Sequence, residues 1–135
     1  MGERITREQM FKEIAQVVSK RSTCSRKQVG CVLVKENRIV SIGYNGVLPN
    51  MPEEMGIDEE GNSHTVHAEA NVISFCAKHG IPTEGTTLFT TLSPCEKCAE
   101  LIIQAGIKEV YFMEYYRNMQ GINLLLMNNI NVTNV

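Results

Sequence analysis

Several features are missing from this chain, and each absence removes a class of function. No apolar run approaches the about 20 residues that a membrane-spanning helix needs, so no membrane role is expected. Met1 to Arg7 is polar and lacks the hydrophobic region of a secretory leader, which points to a cytoplasmic protein. There is no basic tail or Lys/Arg stripe; the net charge is −2 and the pI about 5.9. Nucleic acid is therefore not expected as a partner, since polyphosphate binding needs clustered positive charge. A small ligand with one phosphate needs only an arginine or two. The five cysteines are an odd count without a disulfide-framework spacing, as in a reducing compartment. Repeats and an interdomain linker are absent too. What remains is an ordinary globular composition, 43% hydrophobic and 21% charged over 135 residues. Residues 1–135 read as one domain, able to bury roughly two-thirds of its unfolded surface.

Two short stretches carry chemistry: His67-Ala68-Glu69 and Pro94-Cys95-Glu96-Lys97-Cys98. Two thiolates and one imidazole fill three tetrahedral positions on Zn²⁺ and leave the fourth for water, whose pKa falls to about 7. Glu69 is two residues from the histidine and free to move protons without binding metal.

The surrounding pattern places these stretches in a fold. Thr6 with Gln9 forms a capping box, and Met10, Ile14, Val17 and Val18, with Phe11 alongside, predict a helix ending near residues 19–21. Residues 29–35 and 38–44 predict a hairpin turning at Glu36-Asn37, its first strand buried on both faces. Residues 47–65 show no periodicity and carry the acids Glu53, Glu54, Asp58, Glu59 and Glu60. They read as a solvated acidic loop or, more sharply, as a ligand-gated flap or subunit contact. A second helix is expected over 68–79, stopped by Gly80, with a core face of Val72, Phe75 and Cys76. A strand over 86–91 leads to Ser93-Pro94, which would open a third helix with Pro in its first turn and Cys95 and Cys98 on one face. A strand over 108–112, a helix near 122–128 and a last strand over 131–135 complete the chain. Strand, helix, strand across 86–112 is a parallel βαβ unit. The expected fold class is α/β: three α/β/α layers around a mixed five-stranded sheet, with the metal stretches where strands hand over to helices.

Blander readings of the two motifs exist. A structural zinc wants a fourth protein ligand, and His64, His79, Cys24, Cys31 and Cys76 are candidates, none at the spacing of a ribbon or finger. A thioredoxin-like redox pair leaves His67 and Glu69 unexplained. Cys31 and Cys76 read most simply as small buried hydrophobes, His64 and His79 as surface or supporting residues, and Cys24 has no assignment.

The motifs together resemble the cytidine deaminase superfamily, whose signature pairs His-x-Glu with Pro-Cys-x-x-Cys. Cys24-Ser25-Arg26-Lys27-Gln28-Val29-Gly30, Gly43-Tyr44-Asn45-Gly46 and His67-Ala68-Glu69-Ala70-Asn71 are similar to the deoxycytidylate (dCMP) deaminases within it. The likeness covers roughly residues 6 to 115. It implies hydrolytic deamination of dCMP to dUMP by zinc on His67, Cys95 and Cys98, with Glu69 as proton shuttle. It also implies a homohexamer activated by dCTP with Mg²⁺ and inhibited by dTTP. By the same analogy Arg26 faces the 5′-phosphate, Asn45 the sugar, and Ala68 and Tyr115 the substrate, while Tyr44 and Gly46 line an effector site. Other members act on tRNA adenosine, free cytosine or riboflavin precursors, and a nucleotide-binding regulator with a structural zinc is a further alternative.

Overall fold

The computed structural model describes residues 2–24, 26–53 and 65–135. The acidic residues 54–60 and His64 therefore lie outside the described residues. Among those described, the order is α1 (Arg7–Ser19), β1 (Gly30–Lys35), β2 (Arg38–Tyr44), α2 (Ala68–His79), β3 (Thr87–Leu92), α3 (Glu96–Gln104), β4 (Glu109–Glu114), α4 (Gln120–Met127) and β5 (Asn131–Asn134). The strands form one sheet in the order β2-β1-β3-β4-β5. β1 runs antiparallel to both β2 and β3, whereas β4 runs parallel to β3 and β5. The mixed five-stranded sheet is as expected.

Residue alternation along the strands divides the core. Cys31 and Leu33 of β1 pack with Val72 and Cys76 of α2, Ile102 of α3 and Leu125 of α4 on one face. Val32 and Val34 turn the other way, against Phe11, Ala15 and Val18 of α1 and Phe89 of β3. Because successive strand side chains point to opposite faces, β1 is buried on both, and three layers result. Each fully buried Leu, Ile or Val contributes about 1.5–3 kcal/mol relative to exposure.

The hairpin turns at Glu36 (φ 51°) and Asn37 (φ 64°), two positive-φ positions occupied without glycine. Helix boundaries agree closely with expectation at α2, where Gly80 (φ 67°) takes the left-handed stop. Two helix faces need correction. α1 buries Phe11, Ala15 and Val18, while Met10 is 37% and Val17 64% exposed. The helix lies so close over the sheet that a Cβ on Gly30 would meet Ala15 O at 2.4 Å, and small Ala15 is what that approach admits. In α2, Phe75 is exposed and rests on the His79 ring, centroids 4.3 Å apart, leaving Val72 and Cys76 to the core. Gly43 permits the same kind of approach on the other face: a Cβ there would lie 2.9 Å from Ala68 O and Val72 Cγ2.

Candidate metal centre

Two helices begin at the site, each on a candidate ligand. His67 is the N-cap of α2 (φ −68°, ψ 151°) and Cys95 the N-cap of α3 (φ −72°, ψ 171°). Neither side chain makes the cap bond that a Ser, Thr, Asp or Asn would, although Cys95 Sγ interacts with Cys98 one turn on. The third helix was expected to hold Pro94 in its first turn. Instead α3 starts at Glu96 and Pro94 precedes the cap. Cys95 and Cys98 thus meet as N-cap and third helical residue, the pair of positions that a capping box also brings together.

His67 Nδ1 lies 3.3 Å from Cys98 Sγ and 3.6 Å from Cys95 Sγ, and the three ligand atoms all fall within 4.8 Å of one another. Tetrahedral zinc, with Zn–N of about 2.0–2.1 Å and Zn–S of about 2.3 Å, sets N···S separations of about 3.5 Å. The donor set therefore fits zinc in both chemistry and spacing. Among the described residues no other His, Cys, Asp or Glu joins the cluster. Cys31 and Cys76 are buried in the core as expected, and His79 sits at the surface with Phe75.

The three side chains differ in their hold on protons. Hydrogen bonds from Cys98 and His67 hold Cys95 down to about 4, as a thiolate. The same thiolate, with burial, pushes Cys98 far above the usual thiol range, and it raises His67 in turn. Glu69, in the first turn of α2, is 5% exposed. Burial pushes its carboxyl up to about 7, outweighing the pull of its backbone N–H and of His67. A carboxyl near neutrality can both accept and return a proton.

His67, Glu69 and Cys95 line a cavity of about 400 Å³. Arg26, Asn45, Ala68 and Tyr115 line it too, so the four residues expected to meet substrate are brought to one space. Asn45 is buried, and its amide is largely committed. Oδ1 accepts from Ser22 Oγ (2.5 Å) and Val29 N–H (2.8 Å), and Nδ2 donates to Lys27 O (2.7 Å). It therefore clamps the loop that carries Arg26, with one Nδ2 hydrogen not used by these bonds. Cys24, buried and without an assignment from sequence, is a further wall residue.

Tyr44 and Gly46 are not in that wall. Tyr44 packs with the α1-side cluster, under the Arg21 guanidinium 5.9 Å from its ring centre. Gly46 bridges Val66 through N–H···O bonds of 3.1 and 2.7 Å, anchoring the residue before His67.

Sequence reasoning missed Lys27, Glu114, Ser22 and Ser93. Lys27 Nζ meets Glu114 Oε2 at 2.6 Å across the cavity wall, a pairing between residues far apart in the chain and invisible to local pattern. Both partners are well exposed, so the pair contributes little to stability. Ser93 Oγ accepts from Tyr116 N–H at 2.7 Å, which only the end of β4 reveals.

Two thiols and an imidazole at two helix starts, with a buried carboxyl beside them, could hold zinc by three protein ligands, the number that catalytic sites use. Residues 5–114 match the family described as the cytidine and deoxycytidylate deaminase zinc-binding region, and the chain belongs to that family. ComE operon protein 2 of Bacillus subtilis (strain 168) is 39% identical over 119 residues, 85% of this chain and 63% of that protein. This chain thus spans less than two thirds of the length of that relative. The deoxycytidylate deaminase of enterobacteria phage T2 is 34% identical, covering 91% of this chain and 89% of its own. The crystal structure of dCMP deaminase from cyanophage S-TIM5 in complex with dCMP and dUMP has a TM-score of 0.92 at 31% identity, over 99% of this chain and 100% of that one.

Proposed function

We propose that residues 1–135 form a single zinc-dependent deaminase domain that converts dCMP and water to dUMP and ammonia. One observation carries this reading: a buried carboxyl, Glu69, faces the same cavity as two of the three metal donors. The names of the phage relatives support the choice of substrate.

His67, Cys95 and Cys98 would hold zinc, which would supply the Lewis acidity that makes water a nucleophile near pH 7. Glu69 takes the proton of that water and passes it to ring N3 as oxygen attacks C4. It then carries the remaining hydroxyl proton to the exocyclic amine, which leaves as ammonia. The carboxyl ends as it began, so the cycle balances. Ala68, fully buried between His67 and Glu69, limits the space available to the base. Arg26 offers its planar fork to the 5′-phosphate, Asn45 its second Nδ2 hydrogen to the sugar, and Tyr115 closes the phosphate end.

The same reading includes activation by dCTP with Mg²⁺, inhibition by dTTP, a homohexamer and a cytoplasmic location. Support for a separate effector site comes from Tyr44, which packs on the α1 side of the sheet rather than in the cavity wall. Among the described residues no helix is long and apolar enough to cross a membrane.

Ammonia release measured over dCMP, dCTP, deoxycytidine, cytosine and a tRNA anticodon stem tests the substrate assignment. Turnover of dCMP above all others is expected; preference for any other arm contradicts it. Repeating the dCMP arm with added dCTP–Mg²⁺ or dTTP, beside a sizing measurement, tests the regulatory part.

A further inference from the structure

Residues 115–135 lie beyond the family match, yet Tyr116 and Gly121 lie against the turn that leads into Cys95. Gly121, in the first turn of α4, packs directly onto the peptide that leads into Cys95. A Cβ at Gly121 would lie 2.0 Å from Pro94 O and 2.9 Å from both C and O of Cys95. Contacts this short with backbone cannot be relieved by rotating a side chain, so any larger residue must move α4 or the Pro94–Cys95 peptide. Leu125 (0% exposed) and Ile122 (6%) seat α4 in the core, so the strain of a larger residue is shared between that helix and the turn at Cys95.

A second grip acts on the same turn from the other side. Ser93 N–H donates to Glu114 O at 2.8 Å, and Ser93 Oγ accepts from Tyr116 N–H at 2.7 Å. Ser93 is 2% exposed and Pro94 is fully buried. The turn that delivers Cys95 is thus held between the end of β4 and the start of α4. Cys95 caps α3 without a side-chain cap bond, so its position depends on that turn together with its contact to Cys98.

We infer that Gly121 and Ser93 are positioning residues for the metal ligand Cys95, and that the C-terminal segment 114–121 sets the geometry of the zinc centre. This rests on the three-donor zinc reading proposed above. Outer partners of metal ligands typically change affinity about 10–100-fold when lost, and an effect in that range is expected here.

Gly121→Ala, Ser93→Ala and Gly30→Ala are compared as full chains with the unaltered protein. Gly30 serves as the control, because its Cβ would also strike backbone, at 2.4 Å from Ala15 O and Ser19 N, but under α1. Zinc affinity is measured by competition with a chromogenic chelator. The charge-transfer and ligand-field bands of the Co²⁺ form report the sulfur–metal geometry, and thermal unfolding of the metal-free chains reports packing alone.

Gly121→Ala and Ser93→Ala are expected to bind zinc about 10–100-fold more weakly with shifted Co²⁺ bands. Gly30→Ala should lose thermal stability and keep both metal readouts. Affinities and bands for Gly121→Ala no different from those of Gly30→Ala overturn the inference. If Gly121→Ala does not fold, Ser93→Ala decides it, and wild-type metal readouts there overturn it. An unaltered chain that binds no zinc overturns the underlying zinc reading instead, a result distinct from all of these.

Discussion

His67 Nδ1 lies 3.3 Å from Cys98 Sγ although 31 positions separate the two residues in the chain. The contact joins the start of α2 to the first turn of α3, so one ion would tie two helices together. Cys98→Ala is expected to lose zinc by more than the about 10–100-fold that removal of an outer partner brings. Cys31→Ala, a change at a buried thiol outside the cluster, should keep one zinc per chain. Metal analysis after equilibrium dialysis compares the two.

Asn45 holds the loop beneath Arg26 through three side-chain bonds. Asn45→Ala leaves the buried Val29 N–H without its acceptor, which costs about 1–3 kcal/mol. Urea unfolding should show that loss, and the KM for dCMP should rise as the loop loosens. Unchanged stability would mean that the clamp contributes nothing.

Arg26 is exposed and lines the cavity, and its proposed partner is the 5′-phosphate. A charge-assisted hydrogen bond is worth about 1.5–3 kcal/mol, or roughly ten- to hundredfold in binding. Arg26→Ala should raise the KM for dCMP by that factor. Deoxycytidine, which has no phosphate, should be turned over as before. Steady-state kinetics on both substrates read the difference; an equal effect on the two contradicts the phosphate role.

Much of this arrangement can be read from the chain alone, for identifiable reasons. Helix starts and stops depend on local chemistry, so Thr6, which accepts from Gln9 N–H at 3.0 Å, and Gly80 marked the limits of their helices. The cluster of His67, Cys95 and Cys98 was legible because a three-donor zinc site restricts residue type and spacing tightly. Face selection was less so. Val17 and Phe75 fit helical periodicity but lie exposed, since which stripe a helix buries depends on the sheet it meets. The close backbone approaches at Gly30, Gly43 and Gly121 could not be read locally. Their role is to admit another backbone, and that neighbour is distant in sequence. Lys27 with Glu114, and Ser93 with Tyr116, are long-range pairs of the same kind.

Glu69→Gln tests the central claim most directly, because it removes the proton shuttle and leaves the three metal donors in place. Zinc content and dUMP formation are measured on the same preparation. One zinc per chain with turnover lower by at least about 10²–10⁴-fold is the expected result. Full zinc with wild-type turnover would contradict the account, since the buried carboxyl would then have no part in the reaction.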